Sequence, residues 1–168
     1  MKCLLIIDVQ NGFISSETEY ILPRLEKLIN EFNGMVISTQ FVNKGGPFNN
    51  ILNWNKLTNP PEIDIVPFVK SASKYIIQKS VYTSCNYDLI NLLRTLKVSE
   101  VYIVGIDTDC CVLKTAMDLF EINIRPIVLS YYCASNGGKK SHDAALTVLR
   151  RNIGDNQVVD GEFTPYNK

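Results

Sequence analysis

The chain of 168 residues has room for one domain, since a single core typically takes roughly 100–200 residues. Its 46% hydrophobic and 20% charged residues supply enough apolar surface to offset chain entropy, which excludes global disorder. Lys plus Arg and Asp plus Glu both number 17, so no net field draws phosphate backbones or anionic lipid, and neither nucleic acid nor membrane is an expected partner.

The N-terminal apolar run, Cys3 to Ile7, is too short for a signal-peptide core or a bilayer span; a cytoplasmic protein is expected. It forms part of the first predicted strand, Leu4 to Val9. A helix follows, with Ile21, Leu25, Leu28, Ile29 and Phe32 inward, Arg24, Glu26, Lys27 and Glu31 outward, and Gly34 as its stop. The next strand is Met35 to Thr39. From Phe41 to Pro67 the rhythm breaks: Gly45, Gly46, Pro47, Pro60, Pro61 and Pro67 surround Trp54. This reads as a long irregular excursion able to cover a site. Strand Tyr75 to Gln78, helix Tyr87 to Leu96 and strand Val101 to Ile106 come next. A helix opening near Cys111 buries Val112, Leu113, Ala116, Met117 and Phe120; strand Ile124 to Leu129, helix Lys139 to Asn152 and a short strand Gln157 to Val159 complete the chain. The strands are apolar at nearly every position, as parallel strands covered on both faces must be. Alternating strands and helices predict an α/β fold, a three-layer α/β/α sandwich with a central parallel sheet, as one domain over residues 1–168.

Open parallel sheets bind ligands beyond the carboxyl ends of their strands. Three such ends carry reactive groups: Asp8, Lys79, and Asp107-Thr108-Asp109-Cys110-Cys111. Each alone has a plain structural reading, the Asp as a turn former and the Lys as a solvated end. Together they form a catalytic constellation: a thiol at a helix start beside a Lys is expected to titrate below its ordinary value, with Asp8 moving protons. Phe13, Trp54 and Tyr82 are candidate walls of a substrate pocket, with core packing as the alternative. The five cysteines, Cys3, Cys85, Cys110, Cys111 and Cys133, are odd in number and lack C-x-x-C spacing. Reduced thiols are expected, with Cys3, Cys85 and Cys133 packing as small hydrophobes.

Asp8-Val9-Gln10-Asn11-Gly12-Phe13 resembles the D-x-Q-x-x-F opening of isochorismatase-like cysteine hydrolases, and Gly105-Ile106-Asp107-Thr108-Asp109-Cys110-Cys111-Val112 resembles their G-x-x-T-D-x-C-V signature. Lys79-Ser80-Val81-Tyr82 lies between them, where that family places its lysine. The resemblance implies a Rossmann-like fold and a Cys-Asp-Lys triad with Cys111 as nucleophile, Cys110 at the variable position, and Asp8 and Lys79 as partners. It further implies an oxyanion hole from the backbone amides of Asp107 and Cys111, a cis peptide between Ile106 and Asp107, and a dimer or tetramer. A small amide, ureide or carbamoyl compound is the implied substrate, cleaved through a thioester. Relatives that hold a metal do so through Asp and His after the second strand; here Ser38-Thr39-Gln40-Phe41-Val42-Asn43-Lys44 has neither, so no metal or other cofactor is expected. The only histidine, His142, reads as a packed or hydrogen-bonded residue of the last helix. Two competing readings are a receiver-like signalling module, which also sets an Asp and a Lys at strand ends, and a member of the family that has lost catalysis.

Overall fold

The computed structural model describes residues 1–163. Its strands are β1 (Lys2–Ile7), β2 (Met35–Phe41), β3 (Tyr75–Lys79), β4 (Glu100–Ile106), β5 (Arg125–Ala134) and β6 (Val158–Val159); its helices are α1 (Leu22–Glu31), α2 (Pro47–Asn50), α3 (Pro67–Ala72), α4 (Tyr87–Thr95), α5 (Leu113–Glu121) and α6 (Gly138–Ile153). The strands form one sheet in the order β3-β2-β1-β4-β5-β6, every pair parallel. Successive side chains of a strand point to opposite faces, which explains the unbroken apolar runs. Cys3, Leu5 and Ile7 pack with Leu89 and Leu93 of α4, Ala116 and Leu119 of α5, and Leu149 and Ile153 of α6. Leu4 and Ile6 pack on the other side with Leu25 and Leu28 of α1 and Val69 of α3. The expected three-layer sandwich is therefore present. The strand order also overturns the receiver-like reading, since that fold threads its strands 2-1-3-4-5.

Several local expectations are corrected. β1 begins and ends two residues earlier than expected, because Asp8 leaves the strand at φ 49°. β5 runs on to Ala134, its register shifting against β4 between Ile103 and Gly105, so Ser130–Ala134 is bulged strand rather than loop. α3 was not expected as a helix: its Pro67 reads as a breaker in sequence but sits in the first turn, where no intrahelical N–H is needed. Arg24 does not face outward; its guanidinium lies 4.0 Å from the Tyr131 ring centroid and donates to the Tyr131 carbonyl at 3.0 Å. Gly34 is not a left-handed cap: a Cβ there would lie 2.7 Å from the Lys2 carbonyl, so it serves close chain approach. Phe120, expected inward on α5, is 51% exposed. Among the described residues no helix is long and apolar enough to cross a membrane.

The excursion after β2 is tied down by buried amides. Gln10 donates to the carbonyls of Phe41 (2.9 Å) and Ile63 (2.8 Å) and accepts from the Phe41 N–H (2.7 Å). Asn43 donates to the carbonyls of Trp54 (3.2 Å) and Lys56 (3.1 Å) and accepts from the Gly45 N–H (3.0 Å). Phe41, Phe48 and Leu57 form a small core of their own beneath it, with Phe13 and Trp54 packed against them.

At the centre of the sheet the β1–β4 pairing depends on Gly105, whose φ of +120° and position against Ile7 leave no space for a side chain: a Cβ would lie 2.1 Å from the Ile7 carbonyl oxygen. Gly105→Ala is expected to force the two strands apart and cost at least about 2 kcal/mol. Urea unfolding measures this, and a midpoint equal to the parent's would contradict the close approach.

Candidate active site

The reactive residues collect where the strand order reverses, between β1 and β4, beyond the carboxyl ends of the strands. Asp8 follows β1, Lys79 ends β3, and Cys111 lies in the single π turn Thr108–Val112 that leads from β4 into α5. Asp8 is 0%, Lys79 5% and Cys111 5% exposed. The Lys79 Nζ lies 2.7 Å from Asp8 Oδ2, donates to Cys111 Sγ at 3.3 Å, and donates to the carbonyls of Val81 and Tyr82, each at 3.0 Å. The ammonium is thus shared between a carboxylate, a sulfur and two backbone dipoles.

Thr39, in β2, completes the arrangement and was not singled out from the sequence. Its Oγ1 donates to Asp8 Oδ1 at 2.6 Å and accepts from the Asp8 N–H at 3.1 Å. One hydroxyl thereby fixes both the carboxylate and the left-handed backbone that aims it. A threonine in a strand carries no distinctive signal, since β-branched residues favour strands for packing alone.

The electrostatics differ from the sequence expectation in one respect. Burial pushes the Cys111 thiol well above its ordinary value, the Asp8 carboxylate pushes the same way, and the Lys79 ammonium offsets this only in part. The expected lowering toward neutrality is therefore overturned: removing the thiol from water outweighs the nearby cation. Burial would pull the Lys79 ammonium down, yet Asp8 and Cys111 together hold its pKa above the usual lysine value. At rest the cluster holds one carboxylate, one ammonium and a neutral thiol. Cys3, Cys110 and Cys133 are each pushed to about 12 and Cys85 to about 11, in every case chiefly by burial. All five thiols are free.

Above the cluster opens a cavity of about 360 Å³, walled by Phe13, Phe41, Phe48, Trp54 and Tyr82, with Asp107, Cys110 and Cys111 at its base. The three expected wall residues thus share one cavity. Phe13 and Trp54 are stacked (14° between planes, centroids 6.2 Å apart), and Phe48 meets Tyr82 edge to face at 5.1 Å. Phe41 and Phe48 are additions that the sequence alone did not distinguish from core. The peptide between Ile106 and Asp107 is cis. His142, on α6, is half-buried and pairs through Nδ1 with Thr108 Oγ1 at 2.8 Å, supporting the turn that carries Cys111. Asn136, also not anticipated, gives Asp107 Oδ1 two hydrogen bonds, from its backbone N–H (2.8 Å) and its side chain (2.9 Å).

Removing the Thr39 hydroxyl leaves a buried N–H and a buried carboxylate oxygen without a partner. Thr39→Val is therefore expected to cost on the order of 2–3 kcal/mol, with Thr39→Ser retaining most of the stability. Denaturant titration of both variants checks this; equal stability of the Val variant and the parent would show that Thr39 does not hold Asp8.

No curated protein matches this sequence. Among solved structures, an isochorismatase-like hydrolase from Alkaliphilus metalliredigens is 23% identical, covering 90% of this chain and 92% of that one at a TM-score of 0.79. N-carbamoylsarcosine amidase from Thermoplasma acidophilum is 22% identical over 96% of this chain and 95% of its own, at 0.81. Pyrazinamidase of Pyrococcus horikoshii, in complex with zinc, is 20% identical over 96% and 99%, also at 0.81. These likenesses establish the shared fold. The isochorismatase domain model matches residues 2–160, and the chain therefore belongs to the isochorismatase domain family.

Proposed function

We propose that the protein is a cysteine hydrolase that cleaves the C–N bond of a small amide, ureide or carbamoyl compound through a thioester, with Cys111, Asp8 and Lys79 as its catalytic groups. The observation that carries the reading is the buried Lys79 ammonium bound at once to Asp8 (2.7 Å) and Cys111 (3.3 Å) at the base of an open cavity. The amidase names of two structural relatives, N-carbamoylsarcosine amidase and pyrazinamidase, favour an amide-type substrate.

Because the resting thiol is neutral, attack is coupled to proton transfer. Cys111 passes its proton to Asp8 as its sulfur bonds to the substrate carbonyl carbon. The carbonyl oxygen becomes an oxyanion, held by the backbone amides of Asp107 and Cys111. As the C–N bond breaks, Asp8 returns the proton to the departing nitrogen, leaving the acyl group on sulfur. Water then attacks the thioester while Asp8 takes one of its protons; the C–S bond breaks and Cys111 recovers that proton. Lys79 stays charged throughout and stabilises whichever partner is anionic.

A transition metal of the kind found with the Pyrococcus relative has no matching ligands here. Asn43 is committed to three bonds within the excursion, Gln40 donates to the Ile63 carbonyl at 2.9 Å, and His142 is bound to Thr108. Among the described residues no three of His, Cys, Asp and Glu come together as a metal site. Amide oxygens and a lysine are poor ligands for first-row metals.

Screening small amides, ureides and carbamoyl compounds for ammonia release identifies the substrate. Cys111→Ala is then expected to abolish turnover while Cys110→Ala keeps most of it, and Asp8→Asn or Lys79→Ala to cost about 10²–10⁴-fold in kcat. Equal loss in both cysteine variants, with folding intact, would remove Cys111 from its assigned role. Turnover is also expected to survive exhaustive chelation and to be destroyed by iodoacetamide. Loss on chelation with recovery on adding zinc, iron or manganese would overturn the metal-free reading.

A further inference from the structure

We infer that the Asp107 carboxylate selects the substrate, so that the site takes small amides carrying a protonated amine or another N–H donor beside the scissile carbonyl and turns anionic ones away. This rests on Cys111 being the reacting thiol. Asp107 and Cys111 share the base of the cavity, so a substrate whose carbonyl lies against the sulfur presents its neighbouring group to Asp107. The carboxylate is held rigidly. Its Oδ1 accepts from the backbone and side chain of Asn136, which is itself fixed by donating to the Phe13 carbonyl at 3.1 Å and accepting from Ser15 Oγ at 2.8 Å.

The second oxygen, Oδ2, has no hydrogen-bond donor among the described residues, and an ionised carboxylate offers acceptors only. A preorganised acceptor without a donor, in a half-buried site, is complementary to N–H and penalises another carboxylate. The surrounding aromatic faces of Phe13 and Trp54 add attraction for a cation rather than an anion. The opposing charge is Lys56, which is exposed at the rim and bears on the cavity entrance. Lys79 is already neutralised by Asp8.

Charged thiol reagents test this without knowledge of the substrate. In a Cys110→Ala background, Cys111 is labelled with 2-aminoethyl methanethiosulfonate, a cation, or 2-sulfonatoethyl methanethiosulfonate, an anion. The ratio of the two rates, read by mass spectrometry on the Cys111 peptide, is divided by the same ratio for a free thiol in solution. A preference for the cation of about tenfold is expected at pH 7.5, as for a unit charge a few ångströms from the reacting sulfur. Asp107→Asn, which keeps an oxygen for Asn136, is expected to abolish it.

The preference should also fade in the parent between pH 7.5 and 5, because burial pushes the Asp107 carboxyl up to about 6, the two Asn136 bonds opposing and Asp109 and Asp8 adding to it. Tyr82 and Cys110, which also face the cavity, are pushed up and away from that range. Lys79, Lys56, Asp8 and Asp109 are common to parent and variant, so any pH effect of theirs persists in Asp107→Asn. Equal rates, an anion preference, or a cation preference unchanged in Asp107→Asn would overturn the inference while leaving Cys111 as the nucleophile. Failure of both reagents to label Cys111 would overturn both.

Discussion

The structure turns on one buried ammonium. A lysine taken out of water costs several kcal/mol unless its charge and its protons are matched, and Lys79 is matched by Asp8, Cys111 and two carbonyls. That requirement couples three parts of the sheet. In the order β3-β2-β1-β4, β3 is two strands from β1 and three from β4, and neighbouring strands are about 4.8 Å apart. A short side chain on β3 could not bridge that distance. Lys79 does so by passing over the end of β2, where its Nζ stands 5.2 Å from the centre of the Phe41 ring. The aromatic face and the Thr39 hydroxyl of β2 thereby serve a contact between strands on either side of it.

The same burial sets how the thiol behaves. A cation beside a cysteine is often read as a thiolate in waiting, but at Cys111 desolvation is the largest influence, and the Asp8 carboxylate acts with it against Lys79. The ordinary helix-start argument is also weakened, since the chain enters α5 through a π turn that places Cys111 inside the turn. A neutral thiol next to a carboxylate that is already paired with Lys79 and Thr39 is a stable resting arrangement, and in the proposed mechanism the sulfur gives up its proton only when a carbonyl is present to receive it.

Much of this was legible from residues alone. The apolar runs around Leu5, Ile37, Ile103 and Val128 marked buried parallel strands, and the reactive groups at their ends fell where such sheets place ligands. What could not be read were features depending on distance between remote segments. Thr39 and Asn136 are unremarkable in sequence and matter only because folding brings them to Asp8 and Asp107. α3 was hidden because a six-residue helix begun by proline has too short a period to detect. The Cys111 titration was misjudged because sequence reveals which charges are present but not how completely water is removed.

The proposed catalytic groups and most of the cavity wall are carried by different parts of the molecule. Asp8, Lys79 and Cys111 are held by the sheet, whose register is fixed by strand pairing and cannot shift by one residue without reversing both cores. Beside Phe41 at the end of β2 and Tyr82 after β3, the cavity walls come from the turn after β1 and the excursion after β2, which have little secondary structure and would be mobile if left to loop entropy. They are instead anchored by Gln10 and Asn43 and by a separate aromatic core around Phe41 and Phe48. Buried amide side chains suit this task because each both donates and accepts, closing two segments together without adding charge. The excursion can therefore vary at Trp54 or Lys56, and with them the shape and rim charge of the cavity, without disturbing the ion pair beneath.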